Sequence, residues 1–179
     1  MLLTPPLEYR ILNNEVLYTN TPTTSINCAD VHLFKDLANE NERQRVRLCT
    51  HLDSTDAVHE MMIIHVKGTY VPPHKHLGKS ESIHIIEGIA DLILFDDYGQ
   101  PARLIHMGNY ASGKNFYFRM NEPIFHTILI RSETLVFHES TKGPFERSDT
   151  EFAVWAPAAS DITAVDCYMA KLNKQIGVV

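Results

Sequence analysis

Short apolar or alternating segments follow one another from residue 45 to about residue 157, and this succession constrains the fold most. Turn-forming Gly, Pro, Asn and Asp residues separate the segments. The segments are MMIIHVKG, SIHIIEG, DLILFDD, ARLIHMG, NFYFRM, FHTILIR, TLVFHES and FAVWAP. Eight or nine strands at such spacing, without intervening helices, predict an all-β antiparallel sandwich or barrel.

Two helices are predicted on either side of this region. The first runs from Asp30, as N-cap, to about Asn39, and the second from Ser160, as N-cap, to Gln175. The second carries an apolar stripe typical of a packing face, formed by Ala164, Val165, Tyr168, Met169 and Leu172. We therefore predict three parts: a helix-containing N-terminal extension (1–44), a barrel (45–158), and a C-terminal helix that packs on the barrel (159–179).

Charge and cysteine content exclude several classes of function. The net charge of −6 argues against nucleic-acid binding, which depends on a basic surface. We find neither an apolar run of about 20 residues nor the pattern of a signal peptide, so no membrane association is expected. Cys28, Cys49 and Cys167 are widely spaced and typical of reduced thiols. These observations predict a cytoplasmic protein.

The stretch VPPHKHLGKSESIHIIEG, residues 71–88, predicts a metal site. Two prolines hold the approach to His74 extended, so His74 and His76 point to the same side, with Cα atoms about 6.5–7 Å apart. Gly78 lets the chain turn, so that Glu81 returns on a neighbouring strand as an oxygen ligand. The alternative is a cluster of surface histidines.

The spacing of Gly68, His74, His76, Glu81 and Gly88 matches the first signature motif of the cupin superfamily at every fixed position. The resemblance implies a double-stranded β-helix, or jelly-roll barrel. It also implies a fourth metal ligand from a second motif.

The candidate for that fourth ligand is His126, in the stretch NEPIFHTILI. This stretch departs from the family pattern, because Pro123 replaces the turn Gly and Ile130 the closing Asn. Apolar residues at even spacing around His126 predict that it faces inward, which a core histidine bonded to a carbonyl would also do.

More of the chain resembles one group of cupins, the WbuC-type cupin-fold metalloproteins. The matching stretches are RQRVRLCTH (43–51), VHEMMI (58–63), YVPPHKHLGKSESIHIIEG (70–88), LILFDDYG (92–99), FHTILI (125–130), and VFHESTKGPF with FAVWAP (136–157). Members of this group are often encoded among genes for O-antigen or other surface polysaccharides. The resemblance implies a fold, a metal and a sugar-related context, but no reaction.

Residues beyond the metal ligands are candidates for the substrate pocket and for catalysis. Arg47 and His51 lie on one face of the strand RVRLCTH, which is either solvated or lines the barrel mouth and receives an anionic group. Tyr70 and Lys79 flank the motif and either reach a ligand or are surface turn residues. His138 is an acid–base candidate together with His51.

Strand alternation also turns one histidine of the motif away from the metal. Because Glu81, Ile83 and Ile85 are expected on the inner face, His84 points outward.

Three functions fit this pattern. The first is a Lewis-acid metalloenzyme of isomerase or epimerase type, acting on a sugar or nucleotide sugar, with His138 or His51 moving a proton. The second is an Fe(II)-dependent dioxygenase, and the third a non-catalytic module that binds a metal or small ligand. Mixed nitrogen and oxygen ligands suit Fe, Mn, Zn, Ni or Cu. We expect a small ligand, anionic or sugar-like, and a homodimer.

Overall fold

The computed structural model describes residues 6–178, with twelve strands and two α-helices in that range. The strands are β1 (Tyr9–Asn13), β2 (Val16–Thr19), β3 (Arg45–Cys49), β4 (Val58–Val66), β5 (His74–His76), β6 (Glu81–Glu87), β7 (Ile89–Phe95), β8 (Pro101–Gly108), β9 (Tyr117–Met120), β10 (His126–Ile130), β11 (Thr134–Lys142) and β12 (Thr150–Phe152). The helices are α1 (Cys28–Glu40) and α2 (Ile162–Gln175). Two short 3-10 helices span Tyr110–Ser112 and Arg147–Asp149.

The strands form two sheets that face each other. The larger sheet has the order β1-β2-β3-β4-β11-β6-β9, and the smaller one β12-β5-β10-β7-β8. Strands β3 to β12 pair antiparallel within each sheet, whereas β2 pairs parallel with β3. This is the double-stranded β-helix of cupins, so the predicted fold class is confirmed.

The main core lies between the two sheets. Alternate residues of each strand point into it, as the pleat requires. On β6, Ile83 and Ile85 are buried in this core while His84 is exposed, as predicted. On β10, Ile128 and Ile130 are buried there too, on the face that carries His126.

Helix α1 covers the outer face of the larger sheet. Its Phe34 and Ala38 are fully buried against a second apolar cluster that includes Val46 and Leu48 of β3. The N-cap lies three residues earlier than predicted, because the side chain of Asn27, not Asp30, caps the helix. Asp30 instead accepts a hydrogen bond from the Asn27 backbone N–H and completes a capping box.

Helix α2 packs on the smaller sheet through the predicted stripe. Leu172 is buried in a third apolar cluster, to which Tyr168 and Met169 also contribute. The N-cap differs from the prediction: Asp161, not Ser160, accepts the hydrogen bond from the backbone N–H of Ala164 at 3.0 Å. A carboxylate at this position also interacts favourably with the helix dipole.

The segment predicted as an N-terminal extension, 1–44, contributes β1, β2 and α1 to the structure, and its first five residues lie outside the described range. Strand β2 lies beside β3, with Val16 opposite Arg47 and Tyr18 opposite Cys49. Among residues 6–178, neither helix is long and apolar enough to cross a membrane.

Candidate metal centre

Three of the predicted ligands converge at one point of the smaller sheet. His74 and His76 come from β5, and His126 comes from the adjacent strand β10, directly opposite His74. One ring nitrogen of each lies within 4.8 Å of the other two. The pattern therefore gives a group of three histidines able to hold a metal ion.

Backbone carbonyls orient two of these imidazoles. Nδ1 of His74 lies 2.8 Å from the carbonyl oxygen of Pro72, and Nδ1 of His126 lies 3.0 Å from that of Ile124. When Nδ1 donates to a carbonyl, Nε2 keeps its lone pair free for a metal. The two rings are thus fixed in the tautomer that ligation requires.

Glu81 approaches the histidines from the other sheet. The turn at Gly78, where φ is +66°, carries the chain from β5 in the smaller sheet to β6 in the larger one. The sequence suggested that these two strands are neighbours in one sheet, but they belong to different sheets. Oε2 of Glu81 lies 3.1 Å from Nε2 of His126 and 3.9 Å from Nε2 of His76.

The surroundings of Glu81 fit a metal ion. Its Oε2 is buried and has no hydrogen-bond partner among residues 6–178. Two ligand atoms, each about 2.1 Å from one ion, lie about 3 Å apart at a right angle and about 4 Å apart when opposite. The separations from Glu81 to His126 and His76 fall in this interval. An ion would give the unpartnered oxygen its missing contact.

The electrostatics of the cluster favour the metal-binding forms of His74 and Glu81. Burial lowers the pKa of His74 to about 4, with repulsion from His126 as a second cause, so this ring is neutral at pH 7. Burial raises the pKa of Glu81, but the three histidines outweigh it and the net shift is downward. Burial lowers the pKa of His126, but Glu81 reverses the direction.

A second carboxyl group, that of Glu139, lies beside Glu81. Glu139 was not among the predicted site residues. It comes from β11, within hydrogen-bonding reach of Glu81, and faces the cavity between the sheets. Burial raises the pKa of Glu139 well above its usual value, and the charge of Glu81 adds to this effect. Two enclosed carboxyl groups at this range tend to share one proton.

A cavity of about 650 Å³ connects the histidine cluster to strand β3. The residues of β3 and of the segment after it whose side chains lie on the cavity face are Arg45, Arg47, Cys49 and His51. Burial and the repulsion of Arg43 and Arg47 lower the pKa of Arg45, although Glu15 acts against them. The face of RVRLCTH therefore borders the interior of the barrel, which was one of the two alternatives.

Besides Arg47, two of the residues predicted for catalysis or for the pocket, His51 and Lys79, line the cavity, and other groups hold each of them. His51 is buried and stacked on His59, with ring centroids 4.1 Å apart, and burial lowers its pKa. Lys79 places Nζ 3.0 Å from Oδ2 of Asp149.

The structure does not bring the other two, Tyr70 and His138, to the cavity. The hydroxyl of Tyr70 donates to the carbonyl oxygen of Pro157 at 3.1 Å, and burial raises its pKa to about 12. His138 lies on the opposite face of β11 from Glu139 and pairs with Glu60. Strand alternation places only one of two consecutive residues inside, and here that residue is Glu139.

Part of the chain matches a known protein family. Residues 26–107 match the model of a family described as a domain of unknown function, DUF6016. A search of curated proteins finds no match.

Three solved structures are similar in part. A Shewanella oneidensis protein from a structural genomics consortium has 12% identity, a TM-score of 0.49, and coverage of 70% of this chain and 79% of its own. A Klebsiella pneumoniae protein with a double-stranded beta-helix domain has 12% identity, a TM-score of 0.48, and coverage of 65% and 93%. A variant of the oxalate decarboxylase OxdC of Bacillus subtilis has 17% identity, a TM-score of 0.48, and coverage of 68% and 32%.

Proposed function

We propose that this chain is a metal-dependent enzyme of isomerase or epimerase type that acts on a sugar or nucleotide sugar in surface-polysaccharide metabolism. The observation that carries the proposal is the position of the three histidines at the wall of a cavity of about 650 Å³. Cavities of about 300–1,000 Å³ are typical of small-molecule sites. A metal that faces such a space keeps coordination positions for a ligand.

The reaction type follows from the groups beside the histidines. A bound divalent metal would supply Lewis-acid polarisation of a carbonyl or hydroxyl oxygen. Glu139 faces the same cavity and lies close enough to Glu81 to reach a ligand bound there. In the proposed reaction its carboxyl group would remove a proton from the carbon next to a carbonyl and return it on the same or the neighbouring atom.

The substrate class combines two lines of support. The resemblance to WbuC-type cupins suggests a sugar-related context. Polar groups that suit a hydroxylated ligand line the cavity, among them Thr141, Thr150 and Glu139. A sugar or nucleotide sugar is therefore the first class to examine.

Metal analysis and solvent exchange test this proposal together. Purified protein is analysed for its metals and then incubated in D₂O with a panel of sugars and nucleotide sugars, while NMR follows loss of carbon-bound protons. We expect exchange with wild type and with His138→Asn, on the outer face, but not with Glu139→Gln, although all three retain metal. Metal-loaded protein that exchanges no proton and consumes O₂ when it holds iron would instead be a dioxygenase.

A further inference from the structure

We propose that Arg47, with Arg45 and His65 beside it, forms a subsite for an anionic group of the ligand, a carboxylate or a phosphate. The inference rests on the proposed function, since it concerns the far end of the ligand that reaches the metal. It assigns the substrate class more narrowly: a sugar acid or a phosphorylated sugar, with a neutral oxygen at the histidine end.

Uncompensated positive charge lies on this side of the cavity. Glu15 is shared between two arginines, with Oε1 2.9 Å from Nη1 of Arg43 and Oε2 2.7 Å from Nε of Arg45. Arg47 is exposed, lines the cavity, and has no ion pair within the described chain. Glu15 pairs with two of the three guanidinium groups, so that of Arg47 remains free to bind a ligand anion.

His65 provides an independent sign of a missing partner. It is 7% exposed and lines the cavity, and its Nδ1 has no hydrogen-bond partner in the part of the chain that the structure describes. It lies opposite Arg45 in the pairing of β3 with β4, and Arg47 is two residues further along β3. Diagonal neighbours at this spacing are within reach of long side chains.

The charge state of His65 suits a neutral donor. Burial lowers its pKa to about 3, with further contributions from the charges of Arg45 and Arg47. A neutral imidazole still offers one N–H to a ligand oxygen. A buried polar atom without a hydrogen-bond partner costs stability, so a ligand that bonds to Nδ1 removes this cost and gains affinity.

The cavity is polarised along the larger sheet. Glu81 of β6 and Glu139 of β11 lie at the histidine end, and Arg47 lies on β3, beyond β4. Three strand spacings place the backbones of β3 and β6 about 14 Å apart, and the long side chains shorten the gap between their charged ends. A sugar-sized ligand fits between them with its anionic group at Arg47 and a neutral oxygen at the histidine end.

The choice of arginine also matters. A guanidinium group binds a carboxylate or a phosphate through two parallel hydrogen bonds, which an ammonium group cannot do. Arg47→Lys therefore keeps the charge but loses this geometry, and it serves as the graded variant beside Arg47→Gln.

Calorimetric titrations of metal-loaded protein at low ionic strength test the subsite. The probes are gluconate, glucose 6-phosphate and glucose, which present a carboxylate, a phosphate and no charge. We expect one or both acids to bind wild type more tightly than glucose, and Arg47→Gln to weaken that binding by about 10- to 100-fold. Arg47→Lys should fall between them, and Arg103→Gln, on the smaller sheet, should match wild type.

Several results would overturn the inference. The first is that Arg47→Gln and wild type bind the acids with equal affinity. The second is that wild type binds glucose as tightly as the acids, and the third is that it binds neither acid. The experiment also separates this inference from the proposed function. If wild type holds no metal, the proposed function fails, while acid binding that depends on Arg47 still supports the subsite.

Discussion

Replacing Glu81 by Gln should weaken metal binding and should also destabilise the metal-free fold. Glu81 is 5% exposed, and its Oε2 lacks a hydrogen-bond partner among residues 6–178. Gln keeps the shape but removes the charge that attracts a cation. The two effects have the same sign, because the three histidines lower the pKa of Glu81 and its carboxylate therefore also stabilises the metal-free fold at neutral pH.

The size of each effect can be estimated. Loss of one charged ligand should weaken metal binding about 100-fold, which is about 2.7 kcal/mol. At saturating metal the stabilisation by binding falls by the same amount. For a chain of this length, 1 kcal/mol corresponds to about 2–4 °C in melting temperature, so the metal-induced increase should shrink by roughly 5–11 °C. Without metal, the variant should lose about 1.5–3 kcal/mol, the usual contribution of a hydrogen-bonding contact to a charged group.

Thermal unfolding with added Mn²⁺ or Zn²⁺, and again with EDTA, measures both effects. Glu60→Gln is the matched control, because Glu60 lies on the outer face of β4, where it pairs with His138. The control should show the wild-type response to metal. The reasoning is refuted if Glu81→Gln keeps the full metal response, whatever its stability in EDTA, since Glu81 would then be a structural residue.

Two further predictions concern stability. Burial holds the pKa of His65 at about 3, against about 6.5 in the unfolded chain, so the unfolded state binds the proton first as the pH falls. Between pH 7 and pH 5, the free energy of unfolding of wild type should therefore fall by about 2 kcal/mol more than that of His65→Gln, measured by denaturant unfolding. Equal decreases would contradict this reasoning. Gly88→Ala should destabilise by more than about 2 kcal/mol, because φ is +92° and the added Cβ would lie 2.4 Å from the Thr134 carbonyl oxygen. Gly113→Ala, with φ +71° and open space around it, should cost only about 1 kcal/mol in the same assay, and equal costs would refute the contact.

The local part of the site could be predicted from sequence. His74 and His76 lie two residues apart on one strand, and Glu81 follows after a single turn, so short-range geometry brings them together. The inward orientation of His126 followed from the apolar residues around it, and those residues are indeed buried. The sequence did not indicate that β5 and β6 belong to different sheets, because a turn of this length can join strands in either way.

The position of Glu139 could not be predicted in the same way. On β11, Leu135 and Phe137 face the main core, while Val136 packs under α1. Both faces of the strand are buried, so its apolar residues do not alternate and give no sign of which side His138 occupies. Residues two apart on a strand share a face, so an inward Phe137 places Glu139 inward as well.

Helix α1 also explains why the charged face of β3 borders the cavity. Val46 and Leu48 are buried beneath α1, on the outside of the sheet, so the charged residues of the strand face the cavity. Charged alternation usually indicates a solvated face. Only the packing of α1 on the sheet shows that Arg47 borders the interior, and that packing depends on tertiary contacts between distant segments.

The central claim is that His74, His76 and His126 hold a metal ion, and elemental analysis of purified protein tests it most directly. We expect about one divalent metal per chain in wild type and in the double variant His84→Ala/His138→Ala, whose histidines face outward. We expect almost none in the double variant His74→Ala/His76→Ala, with circular dichroism to confirm that it folds. Full metal occupancy in that folded variant would contradict the account.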